Sequence, residues 1–274
     1  MTQSIFKTPS LLLQKIAELI HTASGIIFPA SHLKVLDQRI QNIIKIKNIT
    51  VDELYSDLLM DTEKLFEFIG FVTTNHTHFF RNIEQFQILG STIIPKLLKE
   101  NDLTKHISIW SCACSSGEEP YTLALYFQYY FDTHFLHNWT FSILATDIDQ
   151  TSLTTAEKGH YPIEGLQHIP QEYRSYLHTN ENTIKIPTSL KKNIVFKRHN
   201  LIDNHTHSLI DIIFCRNVLI YFNEATQEQV LNKLITGLKA NRYFFISPSE
   251  SIFGLNVLLT PILLQKVIYY TNKK

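Results

Sequence analysis

From about residue 105 onward the chain alternates short apolar runs with helix-length runs, and this limits the fold more than any other feature. Residues 106–114 (HISIWSCAC) read as a buried strand that ends in small residues. Residues 122–131 read as the helix that follows. A second strand covers 139–145 and stops at Thr146-Asp147. Further strands are expected at 194–197 and 210–215, a helix at 227–239, and two late strands at 243–247 and 262–270. Strands joined through helices must run parallel, since an antiparallel pair needs only a tight turn. The expected fold is therefore α/β with a doubly wound sheet. The two late strands have no helix-length insert between them and predict a closing hairpin with an antiparallel edge.

Residues 10–72 follow a helical pattern instead. Ser10 is expected to cap a helix with Leu12, Ile16, Leu19 and Ile20 on one face, ended by Gly25. Ser31 opens a second helix to about Lys47, carrying Leu33, Leu36, Ile40 and Ile43. Thr50-Val51-Asp52-Glu53 has the form of a capping box and starts a third. A fourth covers 61–71. Charge is segregated along this stretch. Lys34, Arg39, Lys45 and Lys47 face only Asp37 within 31–50, whereas 51–70 holds six acids against Lys64. The division expected is an all-helical domain over 1–80 and an α/β domain over 81–274. Within the latter, 160–193 carries Pro162, Pro170, Pro187 and the alternating run Thr183-Ile184-Lys185-Ile186, which suits a small inserted helix and β-hairpin subdomain.

Composition removes several functions. Lys plus Arg and Asp plus Glu are both 25, so no net basic charge recommends nucleic acid as a partner. Only 8 glycines occur, which disfavours a glycine-rich phosphate loop. Thirteen histidines raise a metal site. Yet His76/His78, His205/His207 and His134/His137 lack a Cys or acid at ligand spacing, and no metal is expected. Cys112, Cys114 and Cys215 are too few for a disulfide framework and suit a reducing compartment. No apolar run reaches the length of a membrane span, and no signal-peptide pattern opens the chain. A cytoplasmic location is expected.

The chemistry is concentrated where the first strand meets its helix. There the sequence reads Ser115-Ser116-Gly117-Glu118-Glu119-Pro120-Tyr121. Ligands of doubly wound folds bind beyond the carboxyl ends of the strands. Two carboxylates at that mouth repel phosphate and suit a cationic ligand with an amino group. Asp147, at the end of the second strand, is placed to accept ribose hydroxyls. One acid for a ribose, one for an amino group and no phosphate cradle describe S-adenosylmethionine better than a dinucleotide.

Three blocks, 73–81 (TTNHTHFFR), 109–125 (IWSCACSSGEEPYTLAL) and 213–222 (IFCRNVLIYF), resemble the signature blocks of the CheR family, the chemotaxis-receptor glutamate O-methyltransferases. The segments 199–203 (HNLID) and 249–251 (SES), and the N-terminal helices, fit the same pattern. The resemblance implies a class I, Rossmann-like methyltransferase that converts S-adenosyl-L-methionine to S-adenosyl-L-homocysteine. It implies that Asn75, Thr77 and Arg81 line the cofactor pocket from the linker. An acid of the Glu118-Glu119 pair, with Glu119 favoured, would hold the amino acid end, and Asp147 the ribose. Asn200 and Leu201 would flank the adenine, and Arg216, Asn217 and Val218 would close the pocket. Arg81 and Tyr221 would stand nearest the transferring methyl as catalytic residues. The implied partner is the cytoplasmic helical domain of chemoreceptors, approached by Lys34, Arg39, Lys45 and Lys47.

Three departures stand out. His76 occupies a tolerant position of the first block. Pro248 precedes Ser249-Glu250-Ser251 where the family more often has His. The inserted hairpin turns at Thr179-Asn180-Glu181-Asn182 without the glycines of relatives that grip a C-terminal receptor pentapeptide, so independence from such a tether is expected. A monomer without membrane insertion is expected too. The alternative reading is a non-catalytic S-adenosylmethionine-sensing adaptor in a signalling pathway, against which the presence of both Arg81 and Tyr221 weighs. A base methyltransferase is disfavoured by the zero charge and the lack of an N/D-P-P-Y block.

Overall fold

The computed structural model describes residues 7–73 and 77–272. Four helices come first: α1 (Ser10–Ser24), α2 (Leu33–Lys47), α3 (Val51–Met60) and α4 (Thr62–Val72). The capping box of α3 is formed, since the Thr50 side chain accepts from the Glu53 amide while Glu53 reaches back to the Thr50 amide. Asp61 caps α4 through the amides of Glu63 and Lys64. Ser10 does not act as a cap. It is the first helical residue, preceded by Pro9, and no side chain among the described residues caps α1. Nor does Ser31 cap α2, which begins only at Leu33 after an uncapped His32.

Helix α5 (Ile83–Ile88) passes through one π-helical turn, Leu89–Ile93, into α6 (Ile94–Glu100). The α/β part then runs β1 (His106–Cys112), α7 (Glu118–Thr133), β2 (Thr140–Asp147), α8 (Gln150–Lys158), and the insert with β3 (His160–Pro162), β4 (His178–Thr179), β5 (Thr183–Lys185) and α9 (Thr188–Lys191). It continues with β6 (Ile194–Arg198), β7 (Ile210–Cys215), α10 (Glu224–Gly237), β8 (Leu238–Phe245), β9 (Thr260–Leu264) and β10 (Val267–Thr271). The main sheet has the order β6-β2-β1-β7-β8-β10-β9, and only the β10 pairings are antiparallel. The doubly wound expectation holds, with the reversal of order beside β1, where such sheets open a ligand crevice.

Two boundaries differ from the expected ones. The run 262–270 is not one strand but the hairpin β9–β10, whose turn places Gln265 at φ 48° and Lys266 at φ 67°. Two-residue hairpin turns need positive φ and normally advertise it with Asn or Gly. Here neither is present, so the turn left no mark in the sequence. The helix expected at 227–239 ends at Gly237, and β8 starts directly at Leu238. The insert does form its hairpin, with the Asn180 carboxamide oxygen accepting from the Asn182 and Thr183 amides, and β3 adds a third strand.

Alternation along the strands divides the core. Ile107, Ile109, Phe214 and Phe245 join one cluster with Phe86, Phe127 and residues of the insert such as Tyr173 and Ile184. Trp110, Ile213 and Phe244 join another with Leu13, Ile16, Leu36 and Phe68 of the N-terminal helices and Val230 and Leu231 of α10. The early helices thus cover one face of the sheet. Gly70 shows how closely, because a Cβ there would stand 2.4 Å from the Asp149 side chain at the start of α8. No helix among the described residues is long and apolar enough to cross a membrane.

Candidate active site

The site follows from where β1, β2 and β7 stop. After Cys112 the chain leaves the sheet through Ala113 (φ 54°), Ser115 (φ 50°) and Gly117 (φ 97°) before α7 begins. Gly117 is the one position there that cannot carry a side chain. A Cβ would meet Ala156 at 2.7 Å and the Tyr161 hydroxyl at 3.0 Å. This loop, the end of β2, the segment after β7 and the linker 77–82 surround a cleft with an empty volume of about 1060 Å³, mouth included. Its walls include Thr77, Arg81, Glu119, Asp147, Arg216, Asn217, Val218 and Tyr221.

Glu119 lies in the first turn of α7, where the helix dipole favours an anion. Its Oε1 accepts from the Ser111 hydroxyl (2.7 Å) and its Oε2 from Arg216 Nη1 (3.0 Å). Arg216 in turn donates through Nη2 to the carbonyl of Arg81 (2.6 Å) and to Asn82 Oδ1 (2.5 Å). Burial lowers the Arg216 pKa against the pull of Glu119. The guanidinium therefore ties the linker to β1 through Glu119. That linker needs fastening, since Phe80 (φ 53°) and Asn82 (φ 60°) both sit in the left-handed region. The Phe80 amide also donates to Thr122 Oγ1 at 3.0 Å.

Asp147 presents a different environment. Its carboxylate accepts from the amides of Ser115 (2.7 Å) and Asp149 (2.9 Å), and among the described residues no ion pair reaches it. Burial, opposed by those amides, pushes its pKa up to about 6. Beside it the Ser115 hydroxyl is buried in the cleft wall without a partner among the described residues. Buried polar atoms without a partner mark a place built for one. Asp147 and Glu119 each retain acceptor capacity, because a carboxylate has about four lone-pair sites. This donor set fits a ligand bearing hydroxyls at one end and a cationic amine at the other, as S-adenosylmethionine does.

Not every expected residue lines the cleft. Asn75 lies outside the described residues. Glu118 is capped by the Ser116 hydroxyl (2.7 Å), and burial raises its pKa, so Glu119 is the acid of the pair on the wall. Asn200 turns away, its Nδ2 donating to the Ala23 carbonyl at 2.8 Å, and Leu201 is buried in the core of the helical side. Of the four basic residues, Lys34, Lys45 and Lys47 are exposed, but Arg39 donates to the carbonyls of Phe71 (3.2 Å) and Thr73 (2.7 Å) at the end of α4. The histidines form no metal cluster among the described residues.

Sequence reasoning missed several wall residues. Ser115, Thr122, Ile26 and Ile220 line the cleft, as does His78, whose ring stacks on His168 of the insert at 4.5 Å. It also missed Glu250, whose carboxylate accepts from the amides of Asn217, Leu219 and Ser247 at 2.8–2.9 Å. Ser115 left a signal by standing in the loop between strand and carboxylates, and His78, Thr122, Ile220 and Glu250 stand in the segments that carry the family resemblance, whereas Ile26 left none.

Known proteins that this chain resembles include methyltransferases. Residues 75–268 match the family model described as CheR methyltransferase, SAM binding domain. A chemotaxis protein methyltransferase of Borreliella burgdorferi is 34% identical over 251 residues, covering 88% of each chain. Another, of Listeria innocua, is 36% identical over 213 residues, 77% of this chain and 79% of that protein. Chemotaxis protein methyltransferase 1 of Pseudomonas aeruginosa is 28% identical over 240 residues, 84% of this chain and 86% of that one.

Proposed function

The chain belongs to the CheR methyltransferase family, and on that premise we propose that its cleft serves methyl transfer from S-adenosylmethionine to glutamate carboxylates in the cytoplasmic helical domain of chemoreceptors. That the protein is an S-adenosylmethionine-dependent methyltransferase of chemotaxis follows from the family. The acceptor and the role of each residue are the proposal. The observation that carries it is one cleft lined by the carboxylates Glu119 and Asp147 together with Arg81 and Tyr221.

The cofactor supplies an electrophilic methyl group on a sulfonium cation. Asp147 holds the ribose end, and Glu119, held by Ser111 and Arg216, the amino acid end. Thr77, Asn217 and Val218 complete the enclosure. Glu118, Asn200 and Leu201 support the pocket from behind its wall. A glutamate acceptor is already ionised near neutral pH and needs no general base, so the transfer requires no Ser-His-Asp or Cys-His set. The work left to the protein is alignment and exclusion of water. Arg81 grips the acceptor carboxylate through its fork, and Tyr221 orients it through its hydroxyl.

Residues 1–80 form the receptor-facing part and 81–274 the methyltransferase part. The protein acts as a cytoplasmic monomer. Lys34, Lys45 and Lys47 approach the acidic receptor helices, with Arg39 bracing the end of α4 beside them. The short strand β4 and the glycine-free turn after it leave little edge for a receptor tether, so recognition is independent of a C-terminal pentapeptide.

The test is transfer of a radiolabelled methyl group to cytoplasmic receptor fragments. Base-labile label on the receptor is expected, as an ester requires. Tight cofactor binding without label on any fragment would overturn the proposal in favour of the adaptor. In the same assay, reversing the charges of Lys34 and Lys45 should lower transfer severalfold at unchanged cofactor affinity, and a tether pentapeptide should bind weaker than micromolar.

A further inference from the structure

Arg81 and Tyr221 both stand on irregular backbone, and two charges of opposite sign, the buried Arg216 and the half-buried Glu250, hold that backbone. Arg216 takes the carbonyl of Arg81. Glu250 takes the amides of the segment that leads to Tyr221. Its Oε2 accepts from Asn217 (2.9 Å) and Ser247 (2.8 Å), and its Oε1 from Leu219 (2.9 Å). The segment needs such a clasp. Asn217 sits at φ 59°, and 219–221 is only a single 3-10 turn. The Asn217 carboxamide adds a bond to Ser247 Oγ at 3.0 Å. Burial raises the Glu250 pKa, and the backbone amides oppose it.

We propose that Glu250 is a positioning residue for methyl transfer: its carboxylate clasps the end of β7 to the end of β8 and thereby sets Tyr221 and the Asn217-Val218 wall against the acceptor. This rests on the proposed function, since it names the residue through which Tyr221 is aligned. A carboxylate is the group the site requires. Three N–H donors converge on two acceptor oxygens, and a carboxamide would turn its own NH2 donors toward one of those amides. The cost falls on alignment, where a displacement of about 1 Å is worth about 100-fold in rate.

The experiment compares wild type, Glu250→Gln, Glu250→Asp, Tyr221→Phe and the Glu250→Gln/Tyr221→Phe double variant in methyl transfer to a receptor fragment. Competent sites are counted by S-adenosylhomocysteine binding. A merely structural role would lower the number of sites and leave kcat per site unchanged. A positioning role lowers kcat per site, by about 10- to 100-fold for Glu250→Gln, with partial recovery in Glu250→Asp, which keeps the charge one methylene short. The loss in the double variant should be clearly smaller than the product of the two single losses, because Glu250 acts in part through Tyr221. The proposal is overturned if kcat per site in Glu250→Gln stays within about threefold of wild type or if the two losses multiply. If Glu250→Gln yields no competent sites, Glu250→Asp decides alone by the same kcat criterion. A wild type that transfers no methyl group would instead sink the proposed function, and this inference with it.

Discussion

Two buried aspartates sit at opposite ends of the same sheet, and their surroundings differ in kind. Asp211 opens β7 at the amino end and is fully buried. It accepts from the Ser108 amide (2.9 Å) and hydroxyl (3.0 Å), from Asn101 Nδ2 (3.2 Å), from Lys239 (2.8 Å) and from Arg242 Nε (3.0 Å). Burial would raise its pKa, but Lys239, Ser108 and Asn101 outweigh burial and lower it. Asp147 closes β2 at the carboxyl end with two backbone amides and, among the described residues, no cation, and its pKa rises to about 6. One carboxylate is satisfied and ties three strands and α6 together. The other is held at an energetic cost that a ligand's hydroxyl donors would relieve. A buried group left short of partners points to a site, while one supplied with them points to stability.

The sharpest way to break this contrast is Asp211→Ala. It strands Lys239 and leaves Arg242 with Glu100 and Asn101 alone. Urea unfolding should show a loss of about 3–5 kcal/mol, with cofactor affinity per folded molecule unchanged. Loss of cofactor binding at full stability would erase the distinction.

Asp147→Asn should do the reverse. Calorimetric titration with S-adenosylhomocysteine should show binding weakened by about 3 kcal/mol, roughly 100-fold, from lost hydrogen bonds to a charged acceptor. The ligand-free protein should change little in stability at pH 7, because removal of a buried charge is opposed by a carboxamide NH2 turned toward the Ser115 or Asp149 amide.

The smallest effect is the pH signature. With a folded pKa of about 6 against an ordinary 3.8, Asp147 contributes full stability below 3.8. That contribution is lost as pH rises to 6. Asp211, depressed below 3.8, contributes above that value and loses its contribution as pH falls through its folded pKa. Cofactor affinity should be flat above pH 7 and weaken below 6, approaching tenfold per unit for one proton. A flat profile down to pH 5 would mean that the ligand does not read the ionised state of Asp147.

Asp147 could be read from the sequence and Asp211 could not. Asp147 closes a strand in register with the carboxylates after the first strand, a relation of spacing within one strand-helix-strand unit. Asp211 lies in an apolar run, and Asn101, Ser108, Lys239 and Arg242 are 28 to 110 residues away. Asn200 shows the same limit, since it turns to Ala23 at a separation of 177 residues. Arg216 joins it, gripping the Arg81 carbonyl from 135 residues away.

What the amino-acid order alone determined is therefore what local rules carry. Strand and helix alternation, the capping box at Thr50, the Glu118-Glu119 and Asp147 pattern and the family blocks all depend on neighbours a few residues apart or on fixed spacing. The tertiary structure decided the rest. It split 262–270 at a turn with no turn residue, put Glu119 rather than Glu118 on the wall, and set Glu250 across three amides. Hydrogen-bond partners far apart in the chain are chosen by which strand ends meet, and that meeting is a property of the packed sheet.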